Sequence, residues 1–334
     1  MIFPTSYLFF LSTLILGMVL SISASSWFTI WIGLELNMIS FIPLISMKMN
    51  LYFAESALKY FLIQALGSIL FIMSSCIFLT LPQMSYLLLL TSLLLKLGSA
   101  PLHFWFPQVV SGLSWPQAIL LMTLQKITPM ILISYLSFSP ILMQVILLSA
   151  ILSAVIGALG GLNTTQLRKM MTFSSINHMS WMLISILISD MFWMTYFLFY
   201  SLISSSIMIL FNLFQTFTLS DLMKFSQSNP TLILLIPLNF LSLGGMPPFA
   251  GFIPKWMLIQ LLIFNKMYFP LTFLLISTLI TLYFYLRITI FFFLLINPTM
   301  INYMKLNTPS FSNSNPLMFF NLFMFFLPIM FLIF

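Results

Sequence analysis

This sequence predicts an all-α polytopic membrane protein of about eleven transmembrane helices, arranged as two inverted five-helix units and a C-terminal helix. Only 4% of its 334 residues are charged and 61% are hydrophobic, whereas a soluble domain carries about a quarter charged residues. Mean hydropathy is +1.15. Apolar windows long enough to cross a hydrocarbon core of about 30 Å recur along the whole chain. The fourth and ninth windows are both interrupted by glycine and proline, which marks helices broken at membrane depth.

The composition excludes several function classes. No soluble domain of useful size fits between the windows. The formal charge of +7, from 11 Lys+Arg against 4 Asp+Glu, is too sparse for a nucleic-acid footprint. The single cysteine, Cys76, sits in an apolar window; it removes disulfides and Cys-based metal sites from consideration and reads as packing. No cleavable signal or Arg-rich transit segment is expected, because the first apolar window starts almost at Met1. The usage of 38 Phe and 26 Met, with much Ile, Leu, Ser and Asn, suggests an AT-rich organellar genome. There is no GxGxxG, Walker sequence, CxxC or axial-ligand pair for haem, so redox chemistry and nucleotide hydrolysis are assigned elsewhere.

The windows fall at about 3–22, 26–46, 55–80, 84–107, 116–138, 140–161, 168–188 and 191–216, followed by 231–265, 268–296 and 317–334. The window 84–107 carries Lys96-Leu97-Gly98-Ser99-Ala100-Pro101. The window 231–265 is too long for one straight span and carries Gly244-Gly245-Met246-Pro247-Pro248. An odd offset of five spans reverses direction through the membrane, so 1–138 and 139–296 read as two five-helix units in inverted topology, with 297–334 as a loop and C-terminal helix. Connections on the N-terminal side hold Lys48, Arg168, Lys169, Lys224 and Lys305, against Lys266 on the other. The positive-inside rule then places the N-terminus in the cytoplasm or an organelle matrix.

Ionisable groups inside such windows cost several kcal/mol and are seldom kept without a partner or a function. If its helix begins near Met84, Lys96 lies about 18 Å along it, near mid-membrane. Glu35, in Trp31-Ile32-Gly33-Leu34-Glu35-Leu36-Asn37, is also near mid-depth. It is either a structural ion-pair partner or a gate that tunes a lysine, since a carboxylate favours the charged amine while desolvation favours the neutral one. Lys126 sits ten residues into the fifth window, too deep to snorkel. Lys255 follows the second break and can lie closer to an interface. Lys59 stands four residues after Glu55, the favourable order for a helical ion pair, which either closes a helix start or joins a charged axis. His103, just past the first break, and His178, in Ser174-Ser175-Ile176-Asn177-His178, are candidate proton relays or hydrogen-bonded packing residues. Two histidines far apart make no metal site. Asp190 has no evident partner, and Asp221 reads as an interface residue.

At these residues the sequence resembles a known family. Trp31 through Asn37, Glu55-Ser56-Ala57-Leu58-Lys59-Tyr60-Phe61, Lys96 through Pro107, Leu167-Arg168-Lys169 through His178, and Leu243-Gly244-Gly245-Met246-Pro247-Pro248-Phe249 through Lys255 are similar to the antiporter-like membrane subunits of mitochondrial NADH:ubiquinone oxidoreductase, respiratory complex I. That family is related to Mrp-type sodium/proton antiporter subunits. The resemblance implies that Glu35 is the glutamate paired with Lys96, that Lys59 and Lys126 belong to a central hydrophilic axis, and that Lys255 belongs to a second half-channel. It supports a relay role for His178. It implies eleven helices where bacterial relatives have fourteen. It also implies no cofactor in this chain, with NAD, FMN, iron–sulfur clusters and ubiquinone held by the whole complex. The implied partners are other membrane-arm subunits, neighbouring antiporter-like chains among them, and inner-membrane lipids. The implied site is the mitochondrial inner membrane, N-terminus in the matrix and C-terminus in the intermembrane space. The expected function is proton translocation coupled to NADH oxidation and ubiquinone reduction performed by other subunits. An independent cation/proton antiporter and a purely architectural membrane subunit are the rival readings.

Overall fold

The computed structural model describes residues 5–46, 50–224 and 230–295, which divide into two compact units, Met1–Ser153 and Ala154–Phe334. The first unit holds α1 (Thr5–Ser23), α2 (Trp27–Ser46), α3 (Leu51–Ile77), α4 (Pro82–Leu97), α5 (Trp105–Gly112), α6 (Trp115–Met122) and α7 (Leu124–Leu136). Helix α8 (Pro140–Leu162) runs through the boundary. The second unit continues with α9 (Leu167–Ile188), α10 (Asp190–Phe214), α11 (Leu219–Lys224), α12 (Pro230–Gly244), α13 (Phe252–Phe264) and α14 (Tyr268–Leu295). Among the described residues the elements are helices, joined by one isolated bridge, Gln166 to Thr218.

Of the eleven expected windows, ten lie in the described residues, and each is occupied by helix. The window 317–334 lies outside them, as do Lys48 and Lys305. Serine and threonine are compatible with these apolar helices because their hydroxyls bond the carbonyl three residues back. Ser92 to Leu89 at 2.7 Å and Ser175 to Thr172 at 2.6 Å are examples. In a medium without water, such internal satisfaction is what allows a polar side chain to span.

Both broken windows end their first half in the same way. Gly98 (φ 70°) and Gly245 (φ 79°) adopt the left-handed conformation. The Gly98 N–H donates to Leu94 and Leu95 carbonyls and the Ser99 N–H to Leu94. The Gly245 N–H donates to Leu241 and Ser242 and the Met246 N–H to Leu241. This Schellman-type closure favours a residue without Cβ, which the two glycines supply. Each break leaves carbonyls with acceptor capacity to spare, and a side chain from the next helix bonds some of them. Trp105 Nε1 donates to Leu95 O at 3.1 Å, and Lys255 Nζ donates to Leu243 O at 3.1 Å and Gly244 O at 2.8 Å.

The structure differs from the sequence expectations in several places. The window 116–138 is not one continuous helix: α6 and α7 meet at Thr123 (φ −112°, ψ −80°). The Thr123 hydroxyl bonds the Ile119 carbonyl at 2.7 Å, and Pro129 offers no N–H to the Gln125 carbonyl. Both effects bend or break a helix. The short α11 was not expected. Cys76 lies on the exposed surface of the chain rather than in its packing. Asp190 does have a partner: it accepts from Trp193 Nε1 at 3.3 Å in the first turn of α10, where the helix dipole favours a carboxylate. Asp221 accepts from the Thr218 N–H at 3.0 Å and so closes the turn before α11.

Candidate functional site

In the first unit, Lys96 occupies the last turn of α4, which packs on α3 and α7. The surrounding carbonyl ends of that helix stabilise an ammonium there. Its stem runs past Gly67 of α3, where an added Cβ would stand 3.2 Å from Lys96 Cγ and 3.4 Å from Cε. Lys126 is 2% exposed and sits in the first turn of α7. Its Nζ lies 5.1 Å from the Phe106 ring centroid, close enough for a cation–π contact that partly replaces lost hydration. Lys96 and Lys126 line one cavity of about 10 Å³ together with Tyr60, Gln64 and Gln125. A second cavity of about 20 Å³ is lined by Asn37, Tyr60, Gln64, Lys96, Gln125 and Thr128. Each is roughly the size of one water molecule and is polar enough to hold it. The Tyr60 hydroxyl donates to Gln125 Oε1 at 3.2 Å.

Glu35 is half-buried on α2 and acts electrostatically on both Lys96 and Tyr60. The resemblance implied a Glu35–Lys96 pair; the two are coupled through space but do not form a direct ion pair within 4.0 Å. Glu55 and Lys59 do form one, at 2.6 Å, on a face where their side chains are 62% and 40% exposed. The structure therefore brings Lys96, Lys126 and Glu35 into one neighbourhood and places Lys59 on the outer surface of α3. His103 is buried within the first break, where its Nδ1 lies 3.2 Å from the Pro101 carbonyl. It lines neither cavity.

In the second unit, Lys255 is 7% exposed and grips the carbonyl end of α12. His178 shares a hydrogen bond with the Tyr196 hydroxyl at 2.9 Å, and its ring centroid lies 5.2 Å from that of Tyr200. Another cavity of about 10 Å³ separates His178, Tyr196 and Tyr200 from Ser242, Leu243 and Gly251. His178 thus faces the break whose carbonyls Lys255 holds. Beside it, Ser277 of α14 donates to Asn177 Oδ1 at 3.2 Å. The buried polar face of α9 explains why the Ser174-to-His178 stretch is so polar within an otherwise apolar window.

Sequence reasoning passed over several residues. Arg287 on α14 donates from Nη1 to Leu162 O at 3.0 Å and from Nη2 to Thr164 O at 3.1 Å, gripping the C-terminal end of α8. A cation at that end also complements the helix dipole. Gln117 Nε2 donates to the Leu44 carbonyl at 2.6 Å, at the end of α2. Tyr60, Gln125, Tyr196 and Tyr200 complete the two polar clusters. Arg287 was detectable as a charge inside a spanning window; the others are neutral and carry no distinguishing spacing.

A family model described as NADH:quinone oxidoreductase/Mrp antiporter, transmembrane, matches residues 80–281. The NADH-ubiquinone oxidoreductase chain 2 of Anopheles gambiae is 49% identical, over 89% of this chain and 86% of its own. The protein of the same name from Locusta migratoria is 40% identical, over 84% of each. Among solved structures, a chain of respiratory complex I from Thermus thermophilus matches with a TM-score of 0.84 at 22% identity, covering 98% of this chain and 78% of its own. A chain of the Mrp complex from a Dietzia species matches with a TM-score of 0.81 at 14% identity, covering 96% and 74%. At those identities the structural likeness establishes a shared fold.

Proposed function

The chain belongs to the NADH:quinone oxidoreductase/Mrp antiporter transmembrane family, and we propose that it is a proton-translocating membrane-arm subunit of respiratory complex I in the mitochondrial inner membrane. The observation that carries this reading is the pair of lysines, half-buried Lys96 and buried Lys126, sharing a water-sized cavity with hydrogen-bonding side chains. A scaffold has no use for ammonium groups at that depth, where each costs several kcal/mol. An ammonium beside a water and a hydrogen-bonding neighbour can give up its proton and recover it from the other side.

Electron transfer from NADH to ubiquinone is assigned to other subunits, which hold the NAD, FMN, iron–sulfur and quinone sites. Redox energy reaches this chain as conformational or electrostatic change. Charge displacement along Glu35, Lys96, Lys126 and Lys255 then couples to proton uptake on the matrix side and release on the intermembrane side. His178 and His103 serve as relays. In this reading the N-terminus faces the matrix, 1–138 and 139–296 act as two inverted half-channels, and the partners are neighbouring antiporter-like subunits and inner-membrane lipids. The likeness to an Mrp chain favours one rival, an antiporter working outside the respiratory chain.

Lys96→Met is the direct test. The variant is expected to assemble and oxidise NADH while translocating fewer protons per NADH. A wild-type stoichiometry would sink the proposal. Native separation of gently solubilised membranes decides the rival: this chain should run only with the large NADH-oxidising assembly.

A further inference from the structure

The two cavities of the first unit share four polar residues and then diverge. Tyr60, Gln64, Lys96 and Gln125 line both. One cavity continues to Lys126 and Phe106, the other to Asn37 and Thr128. Asn37 is 3% exposed and stands two residues after Glu35 on α2. The Tyr60–Gln125 hydrogen bond, 3.2 Å long, belongs to the wall common to both. Gln125 uses its Oε1 for Tyr60, while its Nε2 is buried with no protein partner. A buried amide donor left unsatisfied is costly, so a water in these cavities is its expected acceptor. Neither Gln125 nor a tyrosine hydroxyl holding its proton carries a net charge. Among the four shared residues, Lys96 alone can hold a transferred proton as a stable cation.

We propose that Tyr60 and Gln125 form a partition between two single-water sites, one beside Asn37 and one beside Lys126, so that a proton passing between α2 and Lys126 must pass through Lys96. The inference rests on the proton-translocating reading above. In the step it describes, an N–H bond of the Lys96 ammonium breaks and its proton passes to the water on one side. The first water passes that proton onward; a proton delivered to the water on the other side then forms the new N–H bond, so that water is left neutral and the lysine is restored. Tyr60 and Gln125 are positioning residues: one holds the amide, and the amide holds the water.

The test uses the assembled complex reconstituted in sealed vesicles, with NADH oxidation and proton uptake recorded together. Tyr60→Phe removes the hydroxyl that holds the amide. The two waters can then connect around Lys96, so protons per NADH should fall while NADH oxidation stays close to wild type and becomes less sensitive to an opposing potential. Gln125→Leu removes the water's anchor and should slow oxidation and translocation together, by about fivefold, the equivalent of one net hydrogen bond. Lys96→Met is measured beside them. If Lys96→Met loses translocation while Tyr60→Phe keeps wild-type stoichiometry and potential sensitivity, the partition is overturned and the parent reading survives. If all three variants translocate normally, both fall. Should a variant fail to assemble, the unmodified complex decides by high-resolution electron microscopy. Water density within hydrogen-bonding distance of Gln125 Nε2 supports the partition; a dry cavity, or Tyr60 turned away from Gln125, overturns it.

Discussion

Gly245→Ala is expected to dislodge Lys255 from the end of α12, whereas the same change at the adjoining Gly244 is expected to be tolerated. Gly245 has a φ of 79°, where an L side chain costs about 1–2 kcal/mol. Its Cβ would stand 2.7 Å from Lys255 Cδ and 3.0 Å from Nζ, so the lysine must move. Lys255 now donates at 3.1 Å to Leu243 O and at 2.8 Å to Gly244 O. A hydrogen bond from a charged donor is worth about 1.5–3 kcal/mol. Losing one of the two and adding the backbone term gives about 2.5–5 kcal/mol. The hydrogen-bond part alone lowers the carbonyl-bound state by roughly tenfold to a hundredfold. At Gly244 an added Cβ meets nothing closer than Tyr285 Cδ2 at 3.6 Å, and alanine near a helix end can even gain up to about 1 kcal/mol. The assay compares assembled complex, heat-inactivation temperature and protons per NADH for both variants. The same two changes are then repeated in a Lys255→Ala background, where the Gly245 penalty should shrink by about 1.5 kcal/mol or more. Equal effects at Gly244 and Gly245, or a penalty that stays the same without the lysine, would refute the reasoning.

Gly67→Val should push the Lys96 stem, since even a single Cβ there stands 3.2 Å from Cγ; translocation per NADH should drop with assembly retained, and Gly67→Ala should do less. Arg287→Met removes two bonds to the carbonyls of Leu162 and Thr164 and should destabilise the chain by about 3–6 kcal/mol. That loss would be read as a lower heat-inactivation temperature at unchanged proton stoichiometry; a changed stoichiometry would contradict a purely clamping role. His178→Gln keeps a hydrogen-bonding side chain for Tyr196 but cannot relay a proton. A relay histidine predicts slower translocation in a normally assembled complex, and wild-type rates would reduce His178 to packing.

The all-helical membrane class, the order of the windows and the two broken helices were all legible in the amino-acid order. Each depends on local chemistry: run length against hydrocarbon thickness, and Gly98 or Gly245 followed by proline within a few residues. The expectation that Lys96 and Lys126 lie deep came from the same counting, because 1.5 Å per residue converts a position in a helix into a depth. The split at Thr123 lay just beyond such reasoning. Threonine and Pro129 are tolerated in many spans, so neither by itself signals an interruption.

What tertiary structure alone decided is which side chains meet. These helices are apolar almost all round, so periodicity gives little sign of which face turns inward. Tyr60 finds Gln125 across 65 positions of chain, and Arg287 finds Leu162 across 125. Lys126 rests on Phe106, and Lys255 turns back onto the helix before its own. The family's residues suggested that Glu35 and Lys96 are paired, yet whether they touch depends on packing that no spacing encodes. Sequence by itself indicated which windows carry charge and where two of the helices break; the exposure of Glu55 and Lys59 was decided by packing. The packing of one helix against the next decided which neutral groups surround each charge, because in an apolar medium those few polar contacts have no solvent to compete with.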